Sequence, residues 1–583
     1  MKRTLVVPAS LLVLASAFLM GQTGPAPTLP LFSRADSLRG MLTPLRTCFD
    51  VRYYHLDVRV DPAAESIAGS TTVRFTVLAP MDRMQIDLFR NMEITTITLD
   101  GGAPLPFTRE FDAVFVQMSG TLTPGTNHDL TVFYSGKPIV AKAPPWEGGF
   151  TWTRDVEGNP WVVVTCQGTG ASLWWPNKDH QSDKPDSMLI SVTVPPGLED
   201  VSNGRLRAVK KLGDGWTRFD WFVGSPINNY SVTVNIAKYA HFSDTFVGAD
   251  TLSLDYYVLP MNLEKARLHF QQVRPMMEAF EEYFGPYPFC RDGYKLIECP
   301  HTGMEHQSAV AYGNRYLGGY RGRASSEVGL KFDFIIIHES AHEWWGNSVT
   351  ASDVADMWIH ESFGAYAEAL FVEYLYGRSE SLRYINAKKR NVANTQPIVG
   401  VFNVNHPGSG DMYDKGQLVL NTFRTVLDSD SLWFSILKGI CGTFRCRIID
   451  GTDIIRFINR ATGKEFTSFF DQYLKHPKIP RLDLMVTIRG DSASVRYRWK
   501  ADVQDFQMPI RLSIAGKPLE LITPTTSWQT MRMVGVRPGE IGIAEDLYYI
   551  DLTVNRVYLD PALPDREGSS RGSPTTLPGA GPR

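Results

Sequence analysis

Cysteine is scarce in this sequence. The 583 residues include six, Cys48, Cys166, Cys290, Cys299, Cys441 and Cys446, and no two of them stand in a CxxC spacing. A thiolate zinc knot, which needs closely paired thiolates, is therefore not indicated. If the chain is exported, some cysteines can be bridged. The short-range pairs Cys290–Cys299 and Cys441–Cys446 are the cheapest candidates, among the fifteen pairings that six cysteines allow. An excess of charge is also missing. Lys and Arg total 59 against 62 Asp and Glu, a net −3, so there is no electrostatic reason to expect nucleic acid or an anionic membrane surface as partner. Beyond the first twenty residues no apolar run is long enough to span a bilayer, and no internal repeat is evident. The length suggests three or four domains.

What is present begins with an export signal over residues 1–21. Lys2 and Arg3 precede an apolar core from Leu5 to Leu14, and Ala15-Ser16-Ala17 fits a small-residue cleavage site, with a second possible cut near Gly21. Pro8 interrupts the run and there is no cysteine at its end, which argues against a membrane span and a lipoprotein. The expected location is periplasmic or extracellular, the alternative an uncleaved signal acting as an anchor. Period-two alternation follows in Tyr54, Leu56, Val58 and Val60, in Val73, Phe75 and Val77, and in Tyr230, Val232, Val234 and Ile236. Alternation with Gly and Pro punctuation predicts a largely antiparallel β domain with one wet face.

The chemistry concentrates in residues 334–377. Ile335-Ile336-Ile337-His338-Glu339-Ser340-Ala341-His342 is a complete HExxH motif. On a helix, positions four apart share a face, so His338 and His342 can hold one metal ion, and the spacing suits zinc. Glu339 between them can take a proton from a water. The three isoleucines predict a buried helix. Eighteen residues separate His342 from Glu361, a candidate third ligand on a second helix that Asp353 or Asp356 can cap at its start and Gly377 at its end. Two imidazoles and one carboxylate leave a fourth position open, the arrangement of a catalytic zinc site.

The run His338-Glu339-Ser340-Ala341-His342-Glu343-Trp344-Trp345-Gly346-Asn347, followed by His360-Glu361-Ser362-Phe363-Gly364-Ala365, resembles the aminopeptidase N family of zinc metallopeptidases, to which leukotriene hydrolase also belongs. The family pattern is HExxH, eighteen residues, then Glu, with Trp-Phe-Gly-Asn after the second His and Glu-Gly-Phe-Ala at the third ligand. Here Trp345 replaces Phe, Ser362 replaces Gly, Gly364 replaces Ala and His360 replaces Asn. His360 either orients a ligand or is an accommodated neighbour. The stretch His301-Thr302-Gly303-Met304-Glu305-His306 resembles the family's Gly-x-Met-Glu-Asn strand, with Thr302 for the first Gly and His306 for Asn. The resemblance implies that Gly303 and Met304 pair with a peptide backbone and that Glu305 receives its free amine, a cation near neutral pH. Gln167, before a loosely matching Trp174-Trp175-Pro176, is implied to touch the same amine. Asp411-Met412-Tyr413-Asp414-Lys415-Gly416 resembles the stretch whose Tyr donates to the oxyanion.

The fold these signals predict is multidomain α+β. An N-terminal antiparallel β domain (45–244) precedes a thermolysin-like, mainly helical zinc peptidase domain (245–478) and a small C-terminal β-sandwich (480–562), with a disordered tail at 563–583. Leu263–Tyr283 is expected to be helical, ending at Gly285-Pro286. Many family members carry a further helical domain over the cleft, and the short remaining chain leads to the expectation of a more open site accepting longer peptides. The expected activity is hydrolysis of N-terminal peptide bonds by one Zn2+ per chain, with Glu339 and Tyr413 catalytic and peptides with a free N-terminus as substrates. The alternatives are a zinc endopeptidase or an epoxide hydrolase of the same fold, or a non-catalytic exported binding protein. No stable membrane span is expected after signal cleavage, and oligomeric state is not legible.

Overall fold

In the N-terminal part the first long strand, Phe49–Asp61, lies at the middle of a seven-stranded sheet. Its order is Arg205–Lys211, Thr217–Val223, Ser187–Val194, Phe49–Asp61, Ser66–Val77, Asn127–Gly136, Met92–Leu99. Tyr54, Leu56, Val58 and Val60 turn inward and are fully buried, as alternation requires. The pairing is antiparallel throughout this sheet except between Phe49–Asp61 and Ser187–Val194, which run parallel with Tyr53 opposite Ser187. The computed structural model describes residues 31–490, 492–514, 520–534 and 541–559. The expected signal (1–21) and tail (563–583) lie outside the described residues.

One strand reading is corrected. Tyr230, Val232, Val234 and Ile236 do not form one continuous strand. Asn229–Ser231 is a 3-10 turn and only Asn235–Ala237 is extended in a sheet. All residues from Tyr230 to Ala237 are buried, including Ser231, Thr233 and Asn235. The alternation therefore does not separate a dry face from a wet one. The polar positions are satisfied internally instead: Thr233 N–H donates to Asn203 Oδ1 at 2.9 Å and Asn235 Nδ2 to the Val201 carbonyl at 2.9 Å.

The central part is built on a five-stranded sheet ordered Ala240–Val247, Thr251–Val258, Tyr294–Glu298, Val310–Tyr312, Gly303–Met304. The last of these is an edge strand of two residues, paired on one side only among the described residues, with Met304 opposite Ala311. The expected helix appears as Leu263–His269 and Val273–Phe284 joined by a 3-10 turn, and it stops at Gly285, whose φ of +87° suits glycine. Beneath the sheet lies the motif helix Phe334–Ala341, crossed by Trp358–Tyr376 and then Asp411–Leu427. Trp358–Tyr376 is buried from Trp358 to Val372, as expected of a helix apolar on nearly every face.

The motif helix is only eight residues long, too short to be stable by itself. Its start is fixed by Asp333, whose carboxylate accepts from Ile335 N–H (2.9 Å) and Ile336 N–H (3.4 Å). The same buried carboxylate takes hydrogen bonds from Tyr312 Oη (2.8 Å), His269 Nε2 (2.7 Å) and Asn314 Nδ2 (2.9 Å). Asp333→Ala is expected to lower global stability by about 3 kcal/mol, since it removes a cap and strands several buried donors. A thermal midpoint within a degree of the parent would refute the importance of this cap.

The C-terminal part pairs a four-stranded sheet (Gln529–Val534, Ser492–Lys500, Arg481–Arg489, Asp551–Leu559) with a three-stranded one (Glu520–Ile522, Ile510–Ile514, Ile541–Ile543). It buttresses the helix Asp411–Leu427. Tyr549 N–H donates to Thr422 Oγ1 at 2.8 Å, and Thr425 Oγ1 to the Leu547 carbonyl at 3.1 Å. The fold is the multidomain α+β arrangement expected. The six cysteines are all free thiols. Instead of joining, Cys290 Sγ donates to the Tyr287 carbonyl and Cys299 Sγ to the His301 carbonyl. No helix among the described residues is long and apolar enough to cross a membrane.

Candidate metal centre

The motif helix presents His338 and His342 on one face, with ring centroids 5.0 Å apart. Each imidazole is held by its Nδ1. His342 Nδ1 lies 2.9 Å from the Trp345 carbonyl, which can only accept, so Nδ1 carries the proton. His338 Nδ1 lies 2.7 Å from Glu368 Oε1. Burial pushes Glu368 up, but Lys388 and His338 outweigh it and hold the carboxylate below its ordinary range, so Glu368 accepts as well. In the neutral rings both Nε2 atoms are then bare lone pairs, and they point at each other across 3.3 Å.

Glu361 completes the cluster from the next helix. Its Oε2 lies 3.6 Å from His338 Nε2 and 3.4 Å from His342 Nε2, and this buried oxygen has no hydrogen-bond partner. Three lone-pair donors aimed at one point, all buried, call for a cation between them. A tetrahedral ion with bonds of about 2.1 Å would hold its donors about 3.4 Å apart, which is the spacing found. The residues present fit a metal ion with two imidazole ligands and one carboxylate. Burial depresses His342, yet Glu361 outweighs it and carries the imidazole up to about 9.

Close helix packing sets these distances. Trp345 stacks on Phe363 with centroids 4.0 Å apart, clamping the two helices together. Gly364 faces His342, where a Cβ would come within 3.0 Å of Cε1, so glycine at this position gives the ring its room. Ser362 Oγ donates to the Met412 carbonyl at 2.7 Å, tying the helix to the turn that carries Tyr413. A side chain at Gly416 would overlap Ser362, so the serine and the glycine fit as a pair.

A cavity of about 270 Å3 gathers the nine candidate site residues: His338, Glu339, His342, Glu361, Tyr413, Glu305, Gly303, Met304 and Gln167 all line it. Glu339 is buried under the edge strand. A Cβ at Gly303 would meet Ile335 Cγ2 at 2.6 Å and Glu339 Oε1 at 2.8 Å, so only glycine lets the strand pass this close. Burial raises the Glu339 carboxyl above its ordinary value. Tyr413 sits in the first turn of Asp411–Leu427, its ring 6.0 Å from that of His338. Burial, with the charges of Glu361, Glu305 and Glu339, pushes its hydroxyl far up, so it remains a donor.

Gln167 comes from the N-terminal part, 138 residues before Glu305 in sequence, and its Nε2 donates to Glu305 Oε1 and, at 3.3 Å, to Glu361 Oε1. Its turn is held by Asp179, which accepts from Ala171 N–H and Ser172 N–H. Gly168 and Gly170 have φ of +71° and +98°, so the turn needs glycine at both. Glu305 is pushed up to about 8, by burial first and then by Glu361 and Glu339, against the opposing effect of His342. Its backbone carbonyl takes Asn347 Nδ2 at 2.8 Å, and the carbonyl of Asn347 takes the buried Lys184 Nζ at 2.7 Å.

One expectation is corrected and one open alternative is decided. Neither Asp353 nor Asp356 caps the helix carrying Glu361. Asp353 caps the preceding 3-10 turn through Ala355 N–H, and Asp356 accepts from the Trp358 indole. His360 hydrogen-bonds to neither ligand imidazole. Its Nε2 accepts Ala351 N–H at 2.9 Å, so it is an accommodated neighbour. Glu368, the partner of His338, has no role in the sequence reading. It stands two turns after Glu361 on the same helix face, a spacing that could have marked it. The expected stop at Gly377 is found, with φ +85°.

A helix with two imidazoles one turn apart, facing a carboxylate on the next helix, defines the scaffold of the gluzincin metallopeptidases. A profile described as "Peptidase family M1 domain" matches residues 268–473. It is 22% identical to human "Endoplasmic reticulum aminopeptidase 1" over 66% of this chain and 43% of that protein. To mouse "Aminopeptidase B" it is 22% identical over 83% and 77%, and to "Probable aminopeptidase 1" of Saccharolobus solfataricus 20% over 69% and 51%. The chain thus spans less than half the length of the human relative. The M1 zinc metallopeptidase of Deinococcus radiodurans superposes with a TM-score of 0.61 at 19% identity, over 74% of this chain and 94% of that one.

Proposed function

We propose that this chain is a zinc-dependent aminopeptidase that hydrolyses the N-terminal peptide bond of peptides. The observation that carries the reading is the junction of Gln167, Glu305 and Glu361 beside the converging imidazoles. It sets a buried carboxyl group directly next to the metal donors. A site for cutting within chains has no use for a buried carboxyl group there, whereas a site for chain ends needs one that ionises against the ammonium as it binds.

His338, His342 and Glu361 would hold the zinc ion, which when bound polarises a carbonyl and acidifies a water. Glu368 and the Trp345 carbonyl keep the two imidazoles in the tautomer that ligation requires. Glu339 accepts the proton of the attacking water and returns it to the leaving amine. Tyr413 donates its hydroxyl hydrogen to the oxygen that becomes negative during attack. Gly303 and Met304 offer an unpaired strand edge to the substrate backbone, and Glu305 with Gln167 holds the free amine at a set distance.

A panel of aminoacyl-amide reporters, with and without a chelator, tests the reading. Free-amine reporters are expected to turn over, to fail after chelation and to recover with zinc. N-acetylated counterparts are expected to react about 10²-fold more slowly or less. Glu305→Ala is expected to cost about 10²-fold in kcat/KM on free-amine substrates and far less on blocked ones. Equal losses on both would refute the amine seat. Equal turnover of acetylated substrates by the parent would favour an endopeptidase, and no zinc uptake a binding protein. We also infer export from residues 1–21. N-terminal sequencing of the mature protein should start after Ala17 or near Gly21, and an intact Met1 would overturn cleavage and favour the uncleaved anchor.

A further inference from the structure

Beyond the metal cluster a second, larger cavity of about 740 Å3 opens, within the usual range for ligand pockets of about 300–1,000 Å3. It shares Tyr320, Phe334 and Tyr413 with the site cavity. Gln167 and Glu305 line the site cavity but not this second one, so a peptide seated by its amine there passes the imidazoles and leaves along Tyr413 and Phe334. The residues after the cleaved bond therefore enter this second cavity. An extended chain advances about 3.3–3.6 Å per residue, so the cavity takes the first few of them.

Its charged lining is unbalanced. Lys388 is neutralised, with Nζ 3.6 Å from both Glu368 Oε2 and Asp414 Oδ1. Arg321 and Arg323 are not. They stand on a tight turn in which Tyr320 and Arg323 pair through their backbones and Gly319 and Gly322 have positive φ. Arg321 donates to Thr302 Oγ1 at 3.2 Å, which anchors it beside the edge strand. Among the described residues neither guanidinium has a carboxylate within ion-pair distance, and both are exposed. Two unpaired guanidiniums on a stiff turn form a receptor for a carboxylate.

We propose that Arg321 and Arg323 form an anion subsite downstream of the cleaved bond, so that the preferred substrates are peptides with a carboxylate within the first few residues after it. The carboxylate comes either from an Asp or Glu side chain or from the C-terminus of a short peptide. This rests on the aminopeptidase reading. The test compares kcat/KM for Leu-Ala-Ala as free acid and as amide, and for Leu-Ala-Asp-Ala-amide against Leu-Ala-Asn-Ala-amide, with a leucyl reporter that has no downstream residue run on the unsubstituted protein.

The acid member of at least one pair is expected to be favoured by about tenfold at low salt, less as ionic strength rises. The pair that shows it identifies the source. The side chain of Arg323 has no hydrogen bond or ion pair among the described residues, and most of the preference should be lost on Arg323→Ala and inverted on Arg323→Glu. Arg321→Gln, checked for an unchanged melting temperature, should reduce it too. Reporter turnover with no preference in either pair, or a preference untouched by Arg323→Glu, overturns the subsite alone. A silent reporter and uncut peptides overturn the aminopeptidase reading and the subsite with it.

Discussion

Glu339→Gln is expected to leave one zinc bound per chain and to lower kcat by about 10²–10⁴-fold. The amide has the size and shape of the carboxylate, and Glu339 is not among the three groups whose lone pairs converge, so the ion site should be undisturbed. Space argues the same way. Glu339 is confined beneath Gly303, where a glutamine fits but a bulkier residue would not. The amide cannot accept a proton at neutral pH, so only that function is lost. Metal analysis and turnover on the same preparation decide the matter. A zinc-loaded Glu339→Gln variant with parental kcat would end the general-base assignment, and one lacking zinc would show that Glu339 helps to hold the ion.

Tyr413→Phe should cost about 10²–10³-fold in kcat and leave KM nearly unchanged. The hydroxyl matters only once the carbonyl oxygen has become negative, so ground-state binding should not register its loss. The ring itself is well anchored. Asp411 accepts from Ala393 N–H and Asn394 N–H at 2.9 and 2.7 Å, and Ser362 holds the carbonyl of Met412, so phenylalanine should occupy the same place. A loss in KM alone would mean that Tyr413 binds substrate instead of stabilising charge.

The ligand set was legible because it depends on one helical period: residues 338 and 342 must share a face whatever the surroundings. The alternating strands at Tyr54–Val60 were legible for the same reason, a local rule acting on a half-buried element. What was missed depends on contacts between distant segments. Asp333 serves the motif helix, a strand through Tyr312 and a helix through His269, and nothing near it in sequence reports this. Tyr230 to Ile236 imitates a strand, but its environment is dry on every side and its polar residues bind neighbouring segments. The cap expected from Asp353 belongs to the preceding turn, one element too early, because a three-residue 3-10 turn runs directly into the long helix there. Gln167 was traceable only through family resemblance, since its turn meets Glu305 by tertiary folding.

That turn has a consequence for anyone wishing to re-engineer the molecule. On the proposed reading, the power to break a bond resides in one stretch of chain, and the rule about where to break it arrives from another, on a glycine-hinged bend of the first β region. Retuning which peptides are trimmed should begin at residues 166–170, where a single amide can be shortened or withdrawn at the cost of one 3.3 Å hydrogen bond to the carboxylate of Glu361 and with both imidazoles left alone.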